Sequence, residues 1–244
     1  MTSQCKDRQG AVSSAERDPP GVVRVRAPNP SLLTLDGTNT YVVGGWVVDP
    51  GPDDSSHLEA VLEAARGSIE GIVLTHSHLD HAEGAEPLAK RAGGVRVRLP
   101  EDGQRVGPFE ALATPGHAPD HVCLLFGEGI CFTGDTVLGQ GSVFIAPGEG
   151  SLSAYLDSLR RLRALDLSVL CPGHGPYVAH PAAKLDEYTF HRLERERRLI
   201  EALADGLRTE DELLDRAWSE VPAELRPAAA LTLRAHLEKL DEDA

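Results

Sequence analysis

A chain of 244 residues, 41% hydrophobic and 25% charged, has enough apolar material for a full core and predicts one domain with a small appendage. Its formal net charge of −14 argues against a surface built to grip nucleic-acid phosphates. No apolar run approaches the roughly 20 residues that a spanning helix needs, so no membrane partner is expected.

Residues 1–20 are polar, lack the apolar stretch of a signal peptide, and read as a disordered leader. Cys5, Cys123, Cys131 and Cys171 are widely spaced with no Cys-x-x-Cys pair, so free thiols and a cytoplasmic location are expected. Val22 to Arg26 alternates apolar and basic residues, as a half-exposed edge strand does. Tyr41–Val43 and Trp46–Val48 flank Gly44-Gly45, a two-residue hairpin signal. Leu58, Val61, Leu62 and Ala65 recur at helical spacing, and Ile72–Leu74 reads as a buried strand. A helix is expected over Glu86–Ala92, ended by Gly93-Gly94. Strands follow near Val95–Leu99, Phe109–Ala113, His121–Phe126 and Ile130–Thr133. Tyr155, Leu156, Leu159 and Leu162 mark another helix, leading into the strand Val169–Cys171. This order predicts an α/β protein with sheets covered by helices on their outer faces.

After Pro181 the chain reads as helix almost throughout, with helices near Glu210–Ala217 and Ala223–Leu240. The charged run His191–Arg198 is expected to be a solvated helix face with i,i+4 pairs. The expected division is a leader over 1–20, a catalytic domain over 21–180 and a helical region over 181–244.

Four polar turns, each at the end of an apolar strand, carry the chemistry. The first is Thr75-His76-Ser77-His78-Leu79-Asp80-His81, with four good metal ligands crowded on one turn. A carboxylate within such a run suits a hard divalent cation, and imidazole suits zinc, iron or manganese. Thr114-Pro115-Gly116-His117, Thr133-Gly134-Asp135-Thr136 and Pro172-Gly173-His174-Gly175 are the others. In each, glycine permits a tight turn that aims one histidine or aspartate at a common point. No Ser-His-Asp triad or phosphate loop is visible.

At these turns the chain resembles the metallo-β-lactamase superfamily. The resemblance implies an αββα sandwich with a dinuclear site along one edge of the sheets, followed by a small helical, truncated winged-helix-like module. It implies that His76, His78 and His117 hold one metal, that Asp80, His81 and His174 hold a second, and that Asp135 bridges the two. Two divalent ions, zinc first with iron or manganese as alternatives, would supply a hydroxide at neutral pH, with Asp80 orienting it and shuttling its proton. Asp135 resembles the aspartate of the glyoxalase II, ribonuclease and thioesterase branches, which argues against β-lactam hydrolysis.

A closer resemblance covers nearly the whole ordered chain. It rests on Asn29-Pro30, Gly37-Thr38-Asn39-Thr40-Tyr41, Asp120-His121, Leu138-Gly139, Pro172 to Pro176, His191-Arg192 and Arg195-Glu196. The chain is similar to the endoribonuclease-type lactamase-like group, called β-lactamase-like protein 2 in animals, and to fungal polyketide thioesterases. The resemblance implies an ester or thioester substrate on a small-molecule or acyl-carrier arm, or single-stranded RNA. The net charge disfavours RNA, as does Glu83, which stands where the group carries glycine. So does the acidic end at Asp241–Ala244, where the group's β-wing would begin. A non-catalytic metal-stabilised module and a di-iron redox protein are the rival classes, and a homodimer is left open.

Other positions carry two readings each. Asp49 either hydrogen-bonds a ligand histidine or caps an Asp-Pro-Gly turn. His121 either contacts substrate or is structural, and Arg192 either contacts a substrate anion or belongs to a solvated face. His57 is expected on a helix surface, and His180, His191 and His236 lie in no ligand-type turn.

Overall fold

The computed structural model describes residues 17–243. Most of the expected leader, and Cys5 with it, lies outside the described residues. Its last part is docked instead: Asp18 Oδ1 accepts the Tyr177 hydroxyl at 2.7 Å.

The first sheet has the order β1 (Val22–Arg26), β2 (Asn39–Val43), β3 (Trp46–Val48), β4 (Gly71–Val73) and β5 (Val97–Arg98). β2 and β3 close the expected hairpin, with Val43 opposite Trp46 and Gly44 in the left-handed region at φ 60°. The second sheet runs β10 (Val169–Pro172), β9 (Ile130–Gly134), β8 (Val122–Phe126), β7 (Phe109–Ala113) and β6 (Arg105–Val106).

The period-2 alternation of these strands sorts the core into layers. Tyr41, Val43, Val48 and Val73 face Phe109, Leu124, Phe132 and Cys171 across the sheet–sheet interior. The intervening Val42, Val47 and Ile72 point outward beneath α1 (Ser55–Ala64) and α3 (Ala85–Arg91), meeting Leu58, Val61 and Leu88. On the other side Cys123, Cys131 and Leu170 lie under α4 (Leu152–Arg163) and α5 (Pro181–Ala204). That is the αββα sandwich expected. Each fully buried leucine in it, such as Leu159, contributes roughly 1.5–3 kcal/mol of apolar burial.

Local chemistry sets the helix limits. Asp54 caps α1 by accepting from His57 N at 2.8 Å, Ser151 caps α4, and Pro181 opens α5. The C-terminal part contains α6 (Glu210–Ala217), begun by a Thr209–Glu212 capping box, and α7 (Arg226–Glu242). The helix expected from Ala223 begins instead as a 3-10 turn over Ala223–Leu225, between Pro222 and Pro227. A separate small core joins α5, α6 and α7 through Leu199, Leu214, Trp218 and Leu233. No strand occurs in this part among the described residues. The short α2 (Leu79–Ala82) and the two-residue β6 leave no periodic signal in the sequence.

Two expectations about surfaces need correction. His57 is buried, because α1 turns it toward β2, where its Nε2–H donates to Thr40 Oγ1 at 2.9 Å. The charged run of α5 is only half solvated. Glu194, Arg197 and Arg198 form solvent-accessible i,i+3 and i,i+4 pairs, whereas Arg192 and Arg195 are 2% and 3% exposed beneath the C-terminal helices. Cys123, Cys131 and Cys171 are free and buried. No helix of the described residues is long and apolar enough to cross a membrane.

Candidate metal centre

β3 and β4 are parallel, as are β9 and β10, and β7 is parallel to β9 because both are antiparallel to β8. The turns that leave β3, β4, β7, β9 and β10 therefore emerge along one edge of the sandwich, the position where layered folds place ligands. The two sheets are joined there. Val122 N donates to Thr75 O at 2.7 Å, and Asn39 N to Gly173 O at 2.7 Å. Glycines let the turns approach: a Cβ on Gly134 would stand 2.4 Å from Thr75 Oγ1, and one on Gly173 2.5 Å from His81 Cε1.

Asp49 anchors the arrangement. It adopts the left-handed backbone region at φ 47°, which aspartate tolerates better than most residues. Its Oδ1 accepts Thr75 N at 2.7 Å, and its Oδ2 accepts both Thr75 Oγ1 at 2.7 Å and His81 Nδ1 at 3.0 Å. With its hydroxyl hydrogen given to Asp49, Thr75 Oγ1 can only accept from His76 Nδ1, 3.0 Å away. Asp49 thereby fixes Nδ1 of two histidines as the donor toward it or its Thr75 relay and turns Nε2 of each inward, as the atom a metal would take.

Backbone carbonyls orient two more rings in the same way. His117 Nδ1 donates to Phe144 O at 3.2 Å, and His174 Nδ1 to Gly37 O at 3.4 Å. The free nitrogens converge. His117 Nε2 lies 3.0 Å from His78 Nδ1, and His174 Nε2 lies 3.2 Å from Asp80 Oδ2 and 3.4 Å from Asp135 Oδ1. Asp135 spans the middle, with Oδ1 3.4 Å from His81 Nε2 and Oδ2 3.7 Å from His117 Nε2.

Within this cluster the donor atoms of His76, His78 and His117 lie within 4.8 Å of one another, as do those of Asp80, His81 and His174. Asp49, His76 and His81 meet the same spacing, but Asp49 already accepts three hydrogen bonds and acts as the orienting carboxylate. Buried polar atoms are normally satisfied, yet His76 Nε2, His81 Nε2 and Asp135 Oδ1 are buried here without a partner. Imidazole nitrogens and carboxylate oxygens turned inward on one space fit two divalent cations.

The electrostatics agree with that fit. Burial pushes His76 well down and His117 down, keeping both rings in the neutral form that binds metal. Burial also opposes protonation of His81 and His174, but the Asp135 carboxylate outweighs it. It raises His81 well above the usual range and His174 to about 9. Despite its burial, Asp135 is held well below the carboxylate range by His174 and His81. Protons on His81 and His174 thus occupy the electrostatic role that cations would take.

His121 is not placed to meet substrate. It is 1% exposed, its Nε2 accepts Asp135 N at 3.1 Å, and its Nδ1 faces Thr114 Oγ1 at 2.9 Å and Thr136 Oγ1 at 3.2 Å. It positions Asp135 from behind. Arg192 lies beyond the cage, with its guanidinium held by the Val143 carbonyl and over the Tyr155 ring, 5.3 Å from the centroid. Glu83 is exposed and turned away, accepting Asp53 N at 3.3 Å. Sequence reasoning passed over Thr75, whose signal was its place between an apolar strand and the first histidine. It could not find the Gly37 and Phe144 carbonyls, which carry no side-chain signature.

The model of the metallo-beta-lactamase superfamily matches residues 33–105 and 93–174, and that of the beta-lactamase associated winged helix domain matches residues 209–244. A beta-lactamase-like protein 2 homolog of Caenorhabditis elegans is 32% identical, over 95% of this chain and 88% of its own. The atrochrysone carboxyl ACP thioesterase of Aspergillus fumigatus is 32% identical, over 84% of this chain and 76% of its own. A metallo-beta-lactamase family protein from Thermus thermophilus superposes with a TM-score of 0.72 at 24% identity, covering 92% of this chain and 94% of its own.

Proposed function

Because the chain belongs to the metallo-beta-lactamase superfamily, we propose that it is a hydrolase that uses two divalent metal ions to cleave a thioester or ester. The observation that carries this reading is the inward convergence of His76 Nε2, His81 Nε2 and Asp135 Oδ1, buried and unpartnered. His76, His78 and His117 would hold one ion, Asp80, His81 and His174 the other, and Asp135 both. Zinc suits this nitrogen-rich set, with iron or manganese as alternatives. The bound ions supply Lewis acidity, which acidifies water and polarises the carbonyl under attack.

The chain's own residues do the rest. Asp80, half-buried at the open side of the cage, orients the attacking water and takes its proton at a carboxylate oxygen. In thioester cleavage the water oxygen forms the new C–O bond, the C–S bond breaks, and the sulfur leaves as thiolate to be protonated. Asp49 and the Phe144 and Gly37 carbonyls hold the histidines in register through the cycle.

A thioester is favoured over RNA by charge as well as by the named activity of the fungal relative. The arginines beside the cage, Arg192 and Arg195, are tied to the Val143 carbonyl and to the Ala217 carbonyl and Glu220, and offer no free cation to a phosphate backbone. The test is a parallel assay of metal-replete protein on acyl-coenzyme A and on labelled single-stranded RNA. Thioester turnover that disappears in His76→Ala is expected. RNA cleavage lost in Asp80→Ala, without thioester turnover, would reverse the assignment.

A further inference from the structure

The metal cage opens into a cleft of about 510 Å³ that runs away from the sandwich toward the C-terminal helices. One end is lined by His78, Asp80, His117, Asp135 and His174. Its near wall is apolar: Leu35, Leu138 and Phe144. The far wall comes from the C-terminal module, with Val221, Leu225 and Ala228 turned into the same space. Leu32 and Leu33 at the mouth are 62% and 50% exposed, an apolar rim that water alone does not favour.

The charge in the cleft narrows what can lie there. The cations along it are Arg192 and Arg195, 2% and 3% exposed and already engaged by the Val143 and Ala217 carbonyls and by Glu220. Burial and those two guanidinium charges push His191 down to about 4, so it is neutral. The remaining charged groups are Asp80 and Asp135, which belong to the cage and are balanced there, and Glu220, which is paired with Arg195. Trp218 is 5% exposed, its ring covered by Arg195 and His236, and offers no face for a base to stack on. A largely apolar cleft whose charged side chains beyond the cage are already paired fits a ligand with one reactive polar end at the cage and a neutral apolar body.

We infer that the cleft between the sandwich and the C-terminal module is the binding site for the apolar tail of the acyl group, and that Leu225 and Ala228 set the length of chain it accepts. The inference rests on the thioesterase reading and adds to it the tail's location and the residues that select it. The scissile carbonyl lies at the cage, and each methylene laid along the walls leaves water for apolar contact. The wall made by the 3-10 turn and α7 gives the module a role in substrate choice independent of any nucleic acid.

The experiment measures kcat/KM of metal-replete enzyme on acetyl-, hexanoyl- and decanoyl-coenzyme A. Affinity of the non-hydrolysable thioethers S-ethyl- and S-decyl-coenzyme A is measured in parallel by calorimetry. In the wild type kcat/KM is expected to rise by up to roughly fourfold per methylene before levelling off. S-decyl-coenzyme A is expected to bind far more tightly than the S-ethyl compound. Ala228→Phe and Leu225→Trp, each checked for retained fold by circular dichroism, are expected to lower the decanoyl-to-acetyl ratio at least tenfold. Equal kcat/KM for acetyl and decanoyl substrates, or variants with an unchanged ratio, would overturn the inference and leave the thioesterase reading standing. Tight, variant-sensitive binding of the S-decyl compound without thioester turnover would support the cleft and remove the thioesterase reading.

Discussion

Asp49 holds three groups at once, because its two oxygens accept from a backbone amide, a hydroxyl and an imidazole. Removing it frees both His76 and His81 to take the wrong tautomer. Asp49→Ala is therefore expected to weaken metal binding by about 10–100-fold, read by calorimetric titration of the metal-free protein. Protons compete for the same atoms. His174 is raised to about 9 and His81 is raised well above the ordinary histidine value, so both are protonated in metal-free protein at pH 7. The proton-linked stabilisation of the metal-free fold by His174 is complete below about pH 6.5 and is lost as pH rises through about 9, and that by His81 has the same sign. Metal affinity moves oppositely, rising from pH 6.5 to 9, and uptake at pH 7 is expected to release roughly two protons, measured by calorimetry in buffers of different ionisation enthalpy. At this scale the histidines and aspartates of the cage were legible, since few side chains can bind metal and each follows an apolar strand. The orientation of each ring was not, because it depends on carbonyls from Gly37 and Phe144, distant in sequence.

Among the elements, the segment from Leu138 to Ile145 links the C-terminal helices to the cage. Tyr188 of α5 takes Leu138 N on its hydroxyl at 3.1 Å, Arg192 of α5 holds the Val143 carbonyl, and Thr232 of α7 accepts Ile145 N at 3.4 Å. Between these last two anchors, the Phe144 carbonyl orients His117. Thr232→Val keeps the shape and removes the acceptor, leaving a buried amide unpaired. It is expected to weaken the ion held by His76, His78 and His117 about fivefold, the equivalent of roughly 1 kcal/mol, with Thr232→Ser restoring it. The competing result is equal loss for both ions, which a cobalt titration followed by visible absorption distinguishes. The periodicity of α5 was legible, but the roles of its arginines were not. Arg192 and Arg195 share one charged run with Arg197 and Arg198, and only the covering helices α6 and α7 separate buried guanidiniums from solvated ones.

For the molecule as a whole, the sandwich was readable because strands buried on both faces alternate between two cores. Tyr41 and Val43 enter the interior while Val42 meets α1. The cleft was not readable, since it joins His78 to Leu225 across segments with no shared sequence pattern. The cage is closed by turns from both sheets, so bound metal would also tie the sandwich together. At a metal concentration about 1,000 times Kd, binding adds roughly 4 kcal/mol to stability. Whether a dinuclear centre drives hydrolysis is decided by metal analysis of purified protein, with thioester turnover followed through chelation and reloading. About two ions per chain are expected in the wild type and about one in His117→Ala, with turnover that vanishes and returns with the metal. Full turnover in metal-free protein, or a wild type holding fewer than about one ion per chain after reloading, would contradict a two-metal hydrolase.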